Sequence, residues 1–515
     1  MNVSLKLKKK RTKFLSIAFL ITSVFILFLC ISLIGTYYFI SQKDIKLNIK
    51  SSTNTPPSLV QTSILPSPSL DPDVNETAYF VPVTGFKSIK NNISLSELAT
   101  TNPLEVMSSE LDSIGKDFPS YKLTPIEDSI FLSRVANENN IALISWQKLS
   151  PRLKVLSLDN QFFFDKTIDI TKYPLQFTQK VTLDKKTLED FNQSNINRIV
   201  STGEIIPART VEKFMRNKND YTYPFQAVKP FLDKYDKQIS TLESPLLGSG
   251  NGNVCALNCL TFVGNEKFME GLKYSGVDLV TLADNHSMNA GIEGMTNTIK
   301  ILDSIGIKHV GGSPTNNEDS TDPAIIEINV IKYGVLGYND IPSVNDWATD
   351  SHGGTGRIDD NNYHILPNQV SHDVARAKAK GAQFIIAMMH WGAREYTNDP
   401  LPHQKDLAHN LVDNGVDLVI GDHPHWVMST EFYTPASGGD PKFIYYGIGN
   451  FIFDQDWSLE TSQGSFLEMN FYNNKLLSLH IYPHQIYNTQ PKLLDQNSIG
   501  YKQVMDRIWQ YTTKV

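Results

Sequence analysis

The chain has 515 residues, 41% hydrophobic and 20% charged, which excludes global disorder and is a prior for roughly two to four domains. Its formal charge of −7 hides an asymmetry: residues 1–43 hold seven cations (Lys6, Lys8, Lys9, Lys10, Arg11, Lys13, Lys43) and no acid, leaving 40 basic against 54 acidic side chains in the rest. A remainder with net charge −14 argues against a nucleic-acid binder, since nothing offsets phosphate repulsion.

Residues 1–13 read as a basic tail and 14–40 as a charge-free apolar run, long enough for a tilted membrane span. The cations before it place the N-terminus in the cytoplasm and the body outside the cell. A cleaved signal peptide would show a shorter apolar core and a small-residue cleavage site, and a buried core helix would show a polar face. Residues 41–75, rich in Ser, Thr and Pro, read as an extended linker. Residues 76–190 read as a small α/β module, with helices over SLSELATTNPLEVMSSELDSIG and EDSIFLSRVANEN and strands over NIALISW and RLKVLSLD. The stretch ALISWQKLSPRLKVLSLDN followed by KYPLQF resembles part of a periplasmic solute-binding-type module; a structural spacer is the other reading.

From 195 to 485 the rhythm changes. NRIVSTGEI, VDLVTLADNH, QFIIAMMHWG, VDLVIGDHPHW and KFIYYGIGNF are short apolar runs ending in polar or glycine-bearing turns, with helical patterns between several of them. Such alternation predicts a largely parallel buried sheet with its site at the strands' carboxyl ends. Residues 486–515 read as a C-terminal extension. Outside the anchor, where Cys30 lies, Cys255 and Cys259 are the sole pair, and in an oxidising compartment their spacing suits a small local disulfide.

Five strand-end turns carry the candidate chemistry: Glu204; Glu243; Asp284-Asn285-His286; His390; and His423-Pro424-His425. Carboxylates, imidazoles and an amide oxygen suit borderline divalent ions such as Zn, Mn or Fe. His423 and His425 on one stiff turn allow each to serve a different ion, and a carboxylate such as Glu243 allows a bridge between them, the two-metal arrangement used for hydrolysis at phosphorus. One such His or Glu alone is more often structural; the constellation is what carries weight. His309, His364, His372, His403 and His409 read as ordinary.

STGEIIPAR, TLESPL, VDLVTLADNHSMNAGIEGMTNTIKILDSIGIKHVGG, HWG, LVDNGVDLVIGDHPH and FIYYGIGNFIFDQ together resemble the successive signatures of the CapA family, implicated in synthesis or export of poly-γ-glutamate capsules. The resemblance implies a calcineurin-like metallophosphatase-type layered α/β fold, preceded here by the smaller α/β module and the transmembrane helix. It implies Glu243 as bridging carboxylate, Asn285, His390 and His423 around one tightly held ion, and Glu204 and His425 at a weaker second position. His286 becomes the general acid, acting near neutral pH, and Asn450 a ligand-orienting residue. The family's first motif is usually Gly-Asp, so Gly203-Glu204 departs from it, and Asp284 stands where Asn is common. The implied partner is an anionic envelope polymer or a membrane synthase complex. Two functions follow: a metal-dependent hydrolase, or a non-catalytic polymer-binding or synthase-assembly factor.

Overall fold

The computed structural model describes residues 73–182, 191–247, 260–341, 345–359, 364–366 and 368–512. The 14–40 run and the Cys255/Cys259 pair lie outside the described residues, among which no helix is long and apolar enough to cross a membrane.

Two sheets form the centre of the body. In the first, strands Lys308–Val310, Leu279–Thr281, Lys237–Leu242 and Ile196–Ile205 run parallel. Gln463–Tyr472 then pairs antiparallel with Ile196–Ile205 and continues into Lys475–Tyr487 and Gln490–Leu493. In the second, Ile331–Asn339, Phe384–His390, Leu418–Asp422 and Lys442–Tyr445 run parallel, with antiparallel edges Ala324–Ile328 and Thr430–Tyr433.

The period-2 alternation of each strand sorts its side chains between two cores. Ile199, Ile239 and Leu279 of the first sheet meet Val335, Ile386 and Leu418 of the second in one shared core. Their sequence neighbours Val200 and Val280 face instead a core with residues of helices Arg209–Lys218, Phe268–Ser275 and Gly291–Ser304. Leu336, Ile385 and Val419 likewise share a core with helices Gln369–Ala379 and Pro402–Asp413. The body is therefore a four-layer α/β/β/α sandwich, buried on both faces of both sheets, which is why its strands read as near-continuous apolar runs.

The N-terminal segment has its own sheet, ordered Leu123–Ile126, Leu104–Met107, Ala142–Ser145, Asp73–Gly85, Leu153–Val155, with Gln176–Thr182 also on Asp73–Gly85. The predicted helix over SLSELATTNPLEVMSSELDSIG is corrected here. It divides into helix Leu95–Thr100, strand Leu104–Met107 and helix Leu111–Asp117. Pro103 bars helical continuation, and Leu104 to Met107 are buried between two parallel neighbours. Residues 71–515 form one compact unit. Trp146 packs on Tyr472 with ring centroids 4.4 Å apart, and Phe86 meets both Phe432 and Phe443 at 5.4 Å. Residues past 485 extend the same fold: helix Ile499–Gln510 buries Tyr501, Val504, Met505 and Ile508 in the core shared by the N-terminal sheet and the body.

Candidate metal centre

The carboxyl ends of parallel strands from both sheets converge on one cluster, the place where α/β sheets present ligands. From the first sheet come Glu204 near the end of Ile196–Ile205, Glu243 just past Lys237–Leu242, the Asp284–His286 turn after Leu279–Thr281, and Asn450 opening Asn450–Ile452. From the second come His390 and Asp422, each the last residue of its strand and paired in register, followed by His423 and His425. Strand Asn450–Ile452 runs beside Ile196–Ile205, and a Cβ at Gly203 would stand 1.8 Å from the Gly449 carbonyl oxygen, so only glycine lets the two backbones meet there. His423 and His425 both adopt left-handed backbone, φ 85° and 57°, a conformation costing on the order of 1–3 kcal/mol per non-glycine residue and concentrated at functional sites.

The sequence-derived residues sort into two groups. In the inner group, His390 Nε2 is 2.6 Å from Asn285 Oδ1, 3.1 Å from His423 Nδ1 and 3.7 Å from Glu243 Oε1. These spacings bracket the ~3.4 Å expected between donors placed tetrahedrally ~2.1 Å from one ion. In the outer group, Glu204, Glu243 and His425 bring donor atoms within 4.8 Å of one another, as Glu243, His390 and His423 do. Glu243 belongs to both, the place of a bridging carboxylate. Glu204 reaches across the sheets: Oε1 accepts the His423 backbone N–H at 2.5 Å, and Oε2 lies 2.6 Å from His425 Nδ1. Asn450 Oδ1 is 2.8 Å from that same nitrogen.

The residues fit a cation on two counts. Glu243 is fully buried, and neither of its oxygens accepts a hydrogen bond from any described residue. Burial, then the charge of Glu204, pushes its carboxyl well above the usual range, so a cation is what would stabilise its charged form. Burial, then the neighbouring histidines, holds His390 and His423 well below the ordinary imidazole value, which keeps them in the neutral form that ligates. His425 differs: burial opposes its charge, but the Glu204 carboxylate outweighs that and raises it.

His286 lies 3.9 Å from Glu243 through Nε2, with Nδ1 2.9 Å from Asn289 Oδ1 and its ring against Phe262 at 4.1 Å. Burial pushes it down to about 4, below the near-neutral value expected from its type. Asp284 caps the turn, accepting the backbone N–H groups of His286 and Ser287, and burial pushes it up to about 8.

Sequence reasoning missed Asp422, whose Oδ1 is 2.8 Å from His390 Nδ1 and whose Oδ2 accepts the Thr241 hydroxyl. A carboxylate on the far nitrogen fixes the tautomer and orientation of a ligating histidine. Its signal was its place beside His423 in GDHPH, one strand over from His390. His403, read as ordinary, has a charged setting that the sequence does not display. Its Nε2 sits 3.0 Å from Asp359 and 3.3 Å from Asp340, and both carboxylates are buried.

Residues 198–455 match the family model described as bacterial capsule synthesis protein PGA_cap. The chain is 29% identical over 308 residues to the capsule biosynthesis protein CapA of Bacillus anthracis, covering 59% of this chain and 71% of that one. It is 25% identical over 303 residues to the PGA biosynthesis protein CapA of Bacillus subtilis (strain 168), covering 59% and 75%. Among solved structures, the calcineurin-like phosphoesterase YfkN from Bacillus subtilis aligns over 61% of this chain and 98% of that one, at 13% identity and a TM-score of 0.33, too low to carry an argument. The matched span takes in half of the chain and every residue of the cluster from Glu204 to Asn450, and the chain belongs to the bacterial capsule synthesis family PGA_cap.

Proposed function

We propose that this capsule-synthesis protein is a metal-dependent hydrolase of the calcineurin-like metallophosphatase type, held outside the cell by residues 14–40 and acting on an anionic envelope polymer. The observation that carries the reading is the convergence of Asn285 Oδ1, His390 Nε2, His423 Nδ1 and Glu243 Oε1 at one point, with Glu243 shared by a second group. Glu243, Asn285, His390 and His423 would hold the tighter ion, and Glu204 and His425, with Glu243, the weaker. Bound divalent ions supply Lewis acidity and neutralise charge that develops on a phosphoryl or acyl group.

The chain's own residues do the rest. Asp422 keeps the His390 proton on Nδ1 and presents Nε2 to the centre. His286 donates its Nδ1–H to Asn289, so Nε2, the nitrogen facing Glu243, is the one that would take up a proton and pass it to a leaving group. Asn450 spans Glu204's partner His425 and the Thr461 carbonyl, fixing the outer edge of the site. The relatives' names, capsule biosynthesis and PGA biosynthesis, support a polymer such as poly-γ-glutamate, with a phosphoester or a γ-glutamyl amide as the bond cleaved.

A second reading, a non-catalytic assembly factor, is favoured by one contact: Glu204 and His425 satisfy each other without an ion. Turnover of an aryl phosphodiester with Mn or Zn supplied separates the two. The hydrolase reading expects metal-dependent turnover that His286→Ala removes while ion binding persists. Bound ion with no turnover of the diester or of poly-γ-glutamate sinks it. Protease applied to intact cells tests the topology, and a body that stays protected contradicts it.

A further inference from the structure

We infer that Arg209, clamped by Asp454, is a positioning residue that sets the His286 and His425 rings through Phe262 and Phe453. The inference rests on the two-group reading of the centre given above.

Arg209 opens helix Arg209–Lys218 with φ 52°, left-handed backbone that a long side chain rarely adopts. It is 4% exposed. Its Nε donates to Asp454 Oδ1 at 3.1 Å and its Nη2 to the same oxygen, while Asp454 Oδ2 accepts the Thr210 backbone N–H at 2.9 Å. A buried ion pair is a weak source of stability because desolvation offsets its attraction. Capping this helix needs only Ser, Thr, Asp or Asn at its start. Strained backbone and a buried pair together are therefore more than folding of this helix requires, and such excess concentrates at functional sites.

The guanidinium shows where the excess is used. Its carbon lies 5.0 Å from the Phe262 ring centroid and 4.7 Å from that of Phe453, and the two rings meet edge-on at 5.5 Å. These rings, with Ile206 and Ala208, form a small apolar cluster separate from the main cores. Phe262 then lies against His286 at 4.1 Å, and Phe453 against His425 at 5.5 Å. Arg209 thus packs on two rings, each of which also contacts one imidazole. Asp454 offsets part of the guanidinium charge, which, after burial, still helps lower the nearby His286. Among the described residues His390 and His423 make no ring contact with Phe262 or Phe453; Asp422 and their own contact set them, with His423 meeting His425 more loosely, at 6.2 Å.

The test uses the full-length chain in detergent, metal-free, with 13C-labelled histidine rings followed by NMR. Arg209→Lys keeps a cation for Asp454 but removes the flat wedge; Asp454→Asn releases the clamp. Both should move the His286 and His425 signals and leave those of His390 and His423 in place. Titration with Mn2+ forms the second arm. Arg209→Lys and Phe453→Leu should weaken the outer ion by about 10–100-fold, the usual effect of losing a group that orients a ligand, and spare the inner one. His286 and His425 signals unmoved in both clamp variants would overturn the inference, as would movement of all four histidines alike. If the wild-type chain takes no ion, the metallophosphatase reading fails, and the NMR arm still decides the clamp.

Discussion

On the inner half of the centre His390 turns Nδ1 outward to Asp422 and Nε2 inward to Asn285, His423 and Glu243; on the outer half Glu204 and His425 turn toward each other. The residue types are nearly the same. What differs is where the second carboxylate stands. Asp422 sits behind its histidine and leaves the inward nitrogen for a ligand, whereas Glu204, the would-be ligand itself, occupies a nitrogen of His425. The length of the Glu204 side chain supplies that reach. The proposed tight and weak positions would differ in this geometry as well as in the Asn285 donor that the inner group has and the outer lacks.

Replacing the shared carboxylate breaks both halves and should give the largest effect. Glu243→Leu removes two buried oxygens that no described residue hydrogen-bonds, so ion binding should vanish while the metal-free protein is unchanged or stabilised, by up to about 4 kcal/mol. Chemical denaturation with and without chelator reads this directly; a large loss of metal-free stability would show that Glu243 is held by something other than an ion.

Asp422→Asn isolates the outward support. The amide cannot hold the His390 tautomer as a carboxylate does, and inner-ion affinity should fall about 10–100-fold with the outer ion little changed. Calorimetric titration of the variant against wild type is the check. Glu204→Asp sharpens the other side: a shorter side chain retreats from His425 Nδ1, and outer-ion affinity should rise severalfold. Weaker binding in this variant would mean that Glu204 is already at ligand distance as it stands.

The Asp340–Asp359–His403 group gives a smaller effect and a contrast within one protein. His390 is buried and kept neutral; His403 is partly buried, and although burial opposes its charge, Asp340 and Asp359 push it up to about 9. Its folded value lies above the unfolded one of about 6.5, so its contribution is complete below that pH and is lost as pH rises through 9. His403→Gln should cost stability at pH 6 and little at pH 10, as measured by urea midpoints. Equal cost at both would show that packing, not charge, holds the residue.

Strand ends were legible in the sequence because each buried strand is a short apolar run that stops at a polar turn, and the seven metal-site and catalytic candidates lie in or just past the ends of the converging strands. Asp422 was not legible as a partner of His390, since its role depends on the register between two strands that pair residues 32 apart in sequence. The His403 group was hidden for the same reason: its members come from three separate segments. The helix reading over Leu104–Met107 failed because three apolar residues, Leu104, Val106 and Met107, after Pro103 fit a buried strand as well as a helical turn. The depressed His286 is a product of Phe262 and the surrounding burial, which no local pattern encodes.

The central claim is that the inner group alone makes the tight site. Divalent-ion titration of His390→Ala and Glu204→Ala beside wild type tests it most directly. One high-affinity ion is expected in wild type and in Glu204→Ala, and none in His390→Ala. Equal loss in both variants, or a wild-type chain that takes no ion, would contradict it.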